Sequence, residues 1–285
     1  MAEPTKQGKI YWHDAFFEAI QLELNDYEHQ LTFQDEKQLS KEALIMDVLI
    51  VKKESGVNIE KNIGRIFKSS NIFEFKSEKD KLEIWDYNKV VGYANIYSAF
   101  EKIPLSDITL TFVATVKPVK LLKHLEQDRN FQVKETQPGI YYIIGDHYPV
   151  QIIESKKLTA EENIFIKSLR SNLSNDDLEC FMYSSQKYAL SKTSALMNRV
   201  IEANKEVLEE VLSMSEEVLK IYTKVLKEKG LYEQVTEDRF EEGVEGAIKM
   251  LSRLGLSQSQ AITEIQTTYN LTPEQATNYI NRFYP

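Results

Sequence analysis

The chain has 285 residues, of which 42% are hydrophobic and 11% aromatic. This length and composition predict a folded protein with one large domain or two smaller ones, and they exclude an intrinsically disordered chain. The formal net charge of −9 at pH 7 also excludes a protein that binds nucleic acid tightly and non-specifically over its whole surface.

Cysteine and histidine usage restricts the metal chemistry. The single cysteine, Cys180, excludes an internal disulfide and a cysteine-based metal site. The four histidines are not paired at metal-ligand spacing, so zinc is not expected.

No run approaches the roughly 18–20 uninterrupted apolar residues of a membrane-spanning helix, and MAEPTKQGK lacks the apolar segment of a signal peptide. We therefore expect a cytoplasmic protein with no membrane partner.

The first 116 residues predict a helix, three strands, a second helix and a fourth strand. Apolar residues at three- and four-residue steps predict an amphipathic helix over 12–27. Short apolar segments predict strands at 30–33, 43–52 and 72–77. Asp86 is a suitable N-cap for a helix over 87–100, and β-branched residues predict a strand over 108–116.

Two of these strands carry charges where apolar packing is expected. Asp47 lies inside ALIMDVLIVKK, and Glu74 and Lys76 lie inside NIFEFKS. Because side chains alternate along a strand, Glu74 and Lys76 point to one face while Phe73 and Phe75 point to the other. If the strands are neighbours, two carboxylates and one ammonium group meet, which suits a hard divalent cation with a water beside it. A buried ion-pair network that only stabilises the fold is the alternative interpretation.

The order of these features resembles the PD-(D/E)xK nuclease superfamily. An acid lies in one strand, Glu-x-Lys lies in the next, and a helix with Tyr and Lys follows. Five segments together resemble its bacterial transposase-associated members, which are relatives of the Rpn-type recombination-promoting nucleases. These segments are WHDAFFEAIQLEL, QLSKEALIMDVLIVKK, IEKNIGRIF, NIFEFKS and WDYNKVVGYANIYSAF. The resemblance covers the first half of the chain, and the rest in general layout. It implies an α/β fold with a restriction-endonuclease-like αβββαβ core and a mixed central sheet.

The resemblance also implies a chemistry, a DNA endonuclease that hydrolyses phosphodiester bonds with Mg²⁺ or Mn²⁺. Asp47 and Glu74 would bind the metal with the backbone carbonyl of Phe75, and Lys76 would orient a water or hold the scissile phosphate. The first helix of the superfamily often supplies a further acid, for which Glu23 is preferred over Glu18. Recombination, mobile-element maintenance and defence are the implied settings, and a catalytically silent scaffold that recruits a partner is the competing hypothesis.

Basic residues near the predicted site are candidates for nucleic-acid binding. Lys89 and Tyr93 lie four residues apart on one face of the second helix, where they could face a phosphate backbone. Lys52 and Lys53 end the strand that contains Asp47. A solvated surface of mixed charge is the alternative interpretation.

A second Glu-x-Lys sequence occurs at Glu154-Ser155-Lys156, after a strand and downstream of Asp146. The segment LTAEEN follows it and starts a helix with no matching Lys and Tyr face. Asp146 stands in a Gly-Asp-His turn, where aspartate is common. We therefore prefer Asp47, Glu74 and Lys76 as the catalytic set.

The remaining residues predict further strands and a helical C-terminal region. KPVKLLKHLEQ is a short basic helix, strands follow at 131–133, 140–144 and 150–153, and helices follow at 160–169 and 175–188. A long helix is predicted within 191–230, where it would be a linker or an oligomerisation element. The predicted domains are therefore a nuclease-like domain over 1–190, this long helix, and a small domain over 231–285.

The last segment contains a repeat with a period of fifteen residues. Leu256 and Leu271 each precede a hydroxyl N-cap, Ser257 or Thr272, with Gln at the third helical position. With a helix over 239–254 this predicts a three-helix unit. Residues 200–285 contain 15 acids and 9 bases, so a homodimer through these helices or a protein partner is preferred over helix-turn-helix binding of DNA.

Overall fold

The computed structural model describes residues 12–34, 37–38, 45–46, 49–228 and 232–285. The described residues form an α/β fold with a mixed sheet and a helical C-terminal region. Their contacts divide the chain into two compact units, Met1–Ile221 and Tyr222–Pro285. The boundaries predicted from the sequence lie at 190 and 230, and the boundary between these two compact units lies between Ile221 and Tyr222.

Seven strands of the first unit form one sheet. The strands are β1 (Leu31–Gln34), β2 (Lys37–Gln38), β3 (Ile45–Met46), β4 (Leu49–Lys53), β5 (Ser70–Lys76), β6 (Ile108–Ala114), β7 (Gln132–Gln137), β8 (Ile140–Ile144) and β9 (Val150–Glu154). The sheet order is β1-β4-β5-β6-β9-β8-β7, and β2 and β3 pair separately. The central strands β5, β6 and β9 are parallel, while the outer strands pair antiparallel. The carboxyl ends of three strands therefore meet at one edge.

Helices cover both faces of this sheet. The described helices as far as Glu228 are α1 (His13–Glu23), α2 (Ile84–Glu101), α3 (Val119–Gln127), α4 (Ala160–Lys167), α5 (Asn175–Ser185), α6 (Ser194–Ala203), α7 (Lys205–Met214) and α8 (Glu216–Glu228). The ring of Tyr87 in α2 stacks on Phe112 with a centroid distance of 5.2 Å, and the core on this face includes the leucines of α3. On the other face, Phe16 of α1 stacks on Phe75 at 4.8 Å. The helices α4 and α6 pack against α1.

Alternation along β5 decides which side chain meets which helix. Phe73 and Phe75 contact Phe16 of α1, whereas Ile72 belongs to the core under α2 and α3. Glu74 lies on the same face as Ile72 because side chains two residues apart point the same way. The structure thus has the alternation that the sequence predicts for this strand.

Two predicted helices are shorter than expected. The helix predicted over 12–27 ends as α1 at Glu23, and a 3₁₀ turn over Asn25–Gln30 follows. The stretch predicted as one long helix within 191–230 is three helices, α6, α7 and α8. The first break falls at Asn204, whose buried amide donates to Arg170 O and Val200 O and accepts from Leu173 N. The second break falls at Ser215, whose backbone is extended (φ −125°, ψ 105°).

The second unit contains the helices α9 (Tyr232–Arg253), α10 (Gln258–Thr268) and α11 (Pro273–Phe283). Its core is formed by Val244, Ile248, Ala261, Ile265, Leu271, Ala276 and Ile280. Both predicted caps are confirmed. The Ser257 and Thr272 side chains accept from the backbone N–H groups of Gln260 and Gln275, whose side chains accept in return.

Among the helices described in the two units, none combines the length and the apolar character needed to cross a membrane.

Candidate functional site

A buried carboxylate with two lysines lies on the α2 face of β5. Glu74 is only 4% exposed, and its Oε1 is 3.4 Å from Lys76 Nζ and 2.9 Å from Lys89 Nζ. A buried carboxylate without a partner costs several kcal/mol. The two ammonium groups, one from the same strand and one from α2, compensate the charge of Glu74.

Lys76 is fixed by a second acid at the start of α2. Its Nζ is 2.8 Å from Asp86 Oδ1, and Asp86 Oδ2 accepts a hydrogen bond from the backbone N–H of Glu83 in the capping box of α2. Burial works against the charge of Lys76, but the hydrogen bond to Asp86 and the field of Glu74 outweigh it and raise the pKa of the lysine. Lys76 is therefore a cation at neutral pH and acts as a donor rather than a base.

The predicted nucleic-acid-binding residues do not form one patch. Lys89 belongs to the Glu74 cluster, and its Nζ lies 5.9 Å from the Tyr93 ring centroid. Lys52 instead pairs in register with Ser70, and its Nζ lies 3.9 Å from Glu101 at the end of α2. Ser70 is four residues before Glu74, which is about 13 Å along the strand.

Lys53 is also held away from the cluster. Its Nζ donates to the carbonyl of Val57 at 2.7 Å, in the loop that follows β4. Of the four predicted residues, Lys89 and Tyr93 therefore lie at the Glu74 end of β5 and α2, while Lys52 and Lys53 lie at the other end.

Glu23 does not join the cluster, contrary to the expectation that it shares a metal with Glu74. Its Oε2 is 2.9 Å from Lys61 Nζ, and its Oε1 accepts from the backbone N–H groups of Phe165 and Ile166. Burial outweighs these contacts and raises the pKa of Glu23. The physical reason for this placement is that α1 packs on the phenylalanine face of β5, opposite Glu74.

Asp47 lies outside the described residues, so its approach to Glu74 stays a prediction. In the parts of the chain that are described, no group of three or more histidine, cysteine, aspartate or glutamate side chains could hold a metal ion. The described cluster supplies two carboxylates, Glu74 and Asp86, and the two ammonium groups of Lys76 and Lys89 already balance them. A divalent cation at this point would need a further carboxylate.

The second Glu-x-Lys sequence lies near the first on the same sheet. Lys76 pairs with Ala114, and Ala114 pairs with Glu154. Glu154 Oε2 accepts a hydrogen bond of 3.0 Å from the Tyr141 hydroxyl, and burial followed by this bond raises the pKa of Tyr141 to about 12. Lys156 is exposed in the 3₁₀ turn Ser155–Lys157. This glutamate therefore has a phenol as its partner where Glu74 has two ammonium groups.

An open cleft of about 530 Å³ adjoins the carboxyl ends of β5 and β6. Its walls come from the first turns of α2 and α3 and from the segments that lead into them, and they include Trp85, Thr115, Lys117 and Lys120. Open α/β sheets commonly bind ligands outside the carboxyl ends of their parallel strands. The cleft was not predicted from the sequence. Its walls come from segments about thirty residues apart, and no sequence pattern links these segments.

Comparisons of this chain with family models, with curated proteins and with solved structures found no match. Lys76 and Lys89 balance Glu74 and Asp86, and the ammonium group of Lys89, whose side chain is 37% exposed, can donate to an anion such as a phosphate group.

Proposed function

We propose that this protein is a divalent-metal-dependent nuclease that hydrolyses DNA phosphodiester bonds, with Asp47, Glu74 and Lys76 as its catalytic residues. The observation that supports it most is the contact between Glu74 and Lys76 on one face of β5, at the carboxyl end of the parallel strands and near an open cleft. This is the place where a PD-(D/E)xK enzyme needs its Glu-x-Lys pair.

The proposal includes a finer description of the fold. The order α1, β1, β4, β5, α2 and β6, with β1, β4 and β5 antiparallel and β6 parallel to β5, supports a restriction-endonuclease-like αβββαβ core. In this proposal β2, β3 and everything after β6 are additions to that core. Transposition, recombination and defence against foreign DNA are the settings that the sequence resemblance suggests.

The fit of a metal depends on Asp47. Both lysines contact Oε1 of Glu74 and Lys76 also contacts Asp86, so two carboxylates that two ammonium groups already balance do not hold a divalent ion. The proposal requires the carboxylate of Asp47, which lies outside the described residues, to reach Glu74. Asp47 and Glu74 would together hold Mg²⁺ or Mn²⁺, which would lower the pKa of a bound water and neutralise charge on the phosphoryl oxygens.

Other residues of the cluster have roles that need no metal. Lys76 donates from a charged ammonium group, so it binds a non-bridging phosphate oxygen and holds the scissile group in place. Asp86 fixes Lys76 through the 2.8 Å contact and thereby positions it against α2. Lys89 is more exposed and pairs with an adjacent phosphate of the strand.

The test is plasmid nicking with Mg²⁺, with Mn²⁺ and with EDTA. We expect cleavage that requires the metal and that falls by about 10²-fold or more in Glu74→Gln and Asp47→Asn. Glu23→Gln is the matched control, because it replaces a buried acid on the opposite face, and it should cleave at the wild-type rate. Equal cleavage by all three variants would show that another site or a contaminant is responsible.

A second candidate function is a nuclease-like fold without catalysis that recruits a protein through its C-terminal unit. Met250 in the last turn of α9 and Leu254, which directly follows this helix, favour it, because their side chains are 63% and 65% exposed. Light scattering over a range of concentrations would detect a homodimer through this surface, and Leu254→Lys should abolish it. A monomer at all concentrations, together with metal-dependent cleavage, favours the enzyme.

A further inference from the structure

The long helix α9 has a second apolar face beside the one that enters the core of its unit. Val244, Ile248 and Leu251 pack in or against that core. The second face, the α9 stripe, consists of Phe240, Gly243, Ala247, Met250 and Leu254. The N–H of Leu254 donates to Met250 O, so the helical turn continues to this residue. The alternating three- and four-residue steps of the stripe are the spacing with which two helices pair along a seam.

The large side chains of the α9 stripe are exposed. Phe240, Met250 and Leu254 are 41%, 63% and 65% exposed. The ring of Tyr269 packs edge-on against Phe240 at a centroid distance of 5.7 Å, and its hydroxyl donates to Gly243 O at 2.8 Å. Single exposed apolar side chains are normal, whereas a continuous row of them marks an interaction surface.

The charges of α9 favour a second copy of this chain as the partner of the stripe. Residues 237–245 contain five acids and one arginine, whereas residues 246–254 contain two basic residues and no acid. An antiparallel pair of α9 helices places the acidic half of each copy against the basic half of the other. A parallel pair places the two acidic halves side by side, which like charges disfavour. The helix is therefore complementary in charge to an antiparallel copy of itself.

Glu242 and Arg253 are the charges best placed to act across such a pair. They are eleven residues apart, which is about three turns, so they lie on the same side of α9. Both are exposed, and among the described residues neither has an ion-pair partner. The neighbouring Glu241 and Glu245 are already paired inside their own unit. An antiparallel pair brings Arg253 of each copy to Glu242 of the other.

The sizes of the side chains favour the same orientation. An antiparallel pair centred at Ala247 brings Phe240 of one copy against Leu254 of the other. It also places Met250 of each copy against the gap at Gly243 of the other. Large side chains opposite small ones fill the space between paired helices. A parallel pair brings glycine against glycine and leaves that space empty.

We propose that this protein forms an antiparallel homodimer through the α9 stripes of two copies. Ion pairs between Arg253 and Glu242 flank the apolar contact at both ends. The inference deepens the second candidate function because it names the partner, and it rests on the C-terminal surface of that function and not on catalysis. The stripe is short, so the interface is small and the dimer is in exchange with the monomer.

Light scattering of the full chain between about 1 and 200 µM tests for this dimer, a range suited to a small interface. The mass should rise from that of one chain toward that of two. Met250→Lys should weaken association by about 10-fold or more, because it buries two unpaired ammonium groups. Met214→Lys is the matched control, since Met214 is 75% exposed on α7 in the first unit, and it should associate as the wild type does. Circular dichroism checks that each variant is folded.

Exchange of the two charges tests the orientation. Glu242→Arg and Arg253→Glu each set like charges opposite one another in the antiparallel dimer. Each should weaken association by about 3- to 10-fold at low salt, and the variant with both changes should restore it. In a parallel dimer each residue faces its own counterpart, so neither single change would weaken association.

A monomer at every concentration would overturn the proposal and leave the stripe to a different partner. A dimer that Met250→Lys does not weaken would place the interface elsewhere, and single charge variants that associate as the wild type does would reject the antiparallel orientation. Plasmid nicking on the same samples keeps the two proposals apart. Cleavage without association would reject the dimer alone, and association without cleavage would reject the nuclease alone. Glu74→Gln should associate as the wild type does.

Discussion

The two Glu-x-Lys segments of the sheet have the same spacing and different surroundings. Glu74 and Lys76 lie on β5, which continues as a strand through Lys76, so both side chains share one face. The strand β9 ends at Glu154, and Lys156 lies in the 3₁₀ turn that follows. The residue at which the strand ends therefore decides whether the glutamate and the lysine of the segment can contact each other.

The difference extends to the partners of each glutamate. Lys76 and Lys89 contact Glu74, and Asp86 balances the second positive charge, so this cluster is neutral overall and has partly exposed ammonium donors. Glu154 is half-buried and accepts from a neutral phenol, so its negative charge is shared with Tyr141 and not neutralised. A phosphodiester therefore meets partly exposed ammonium donors at the first arrangement and a carboxylate at the second. The comparison predicts that only the β5 segment takes part in catalysis.

The largest expected effect separates the two lysines. Lys76→Ala should reduce metal-dependent cleavage by about 10²- to 10³-fold, because a preorganised charged donor to the phosphoryl group is lost. Lys156→Ala should change the rate by less than about twofold, since this lysine is exposed in a turn. Initial rates of plasmid nicking at saturating Mg²⁺ measure both. Equal losses in the two variants would remove the basis of the comparison.

The next effect concerns folding stability. Glu74→Gln should destabilise the first unit by about 2 kcal/mol, since Lys76 and Lys89 then lose their shared carboxylate but remain partly hydrated. Glu154→Gln should cost about 0.5 kcal/mol, because the amide oxygen still accepts from Tyr141. Midpoints of urea unfolding, followed by far-UV circular dichroism, compare the two. A smaller loss in Glu74→Gln than in Glu154→Gln would contradict the burial argument.

The face of the sheet to which each β5 side chain points could be predicted from the sequence, because the alternation of side chains along a strand is a local property. The phenylalanines at 73 and 75 fix one face as apolar, so the faces of Glu74 and Lys76 follow without knowledge of the fold. The caps of α10 and α11 were predictable for the same reason, since Ser257 and Thr272 interact with residues three positions away.

The misplaced residues depend on contacts that are distant in sequence. Helical periodicity puts Glu23 near an apolar face of α1, but it does not say which face of the sheet that helix covers. Its partners are Lys61 and the backbone of α4, about forty and one hundred and forty residues away. Lys52 was expected near the site because it shares a strand with Asp47, yet the antiparallel register places it at the far end of β5.

The break in the predicted long helix has a similar origin. Asn204 is a weak helix former, and exposed asparagines inside helices are tolerated at a small cost. Its side chain ends α6 because it bonds to the backbone of Leu173 and Arg170, which precede α5. Nothing in the local sequence shows that these backbone groups are close enough to compete with the helix.

A smaller effect than that of Glu74→Gln is expected from the loss of the phenol that distinguishes the β9 segment. Tyr141→Phe should cost about 1 kcal/mol near neutral pH, from the hydrogen bond to Glu154. The folded pKa of about 12 lies above the ordinary value of 10.0, so this contribution is complete below pH 10 and is lost as pH rises from 10 to 12. The difference in absorbance at 295 nm between wild type and Tyr141→Phe during alkaline titration isolates this phenol from the other tyrosines. If that difference titrated near pH 10, Glu154 would lack its phenol partner, and the contrast with Glu74 would rest on burial alone.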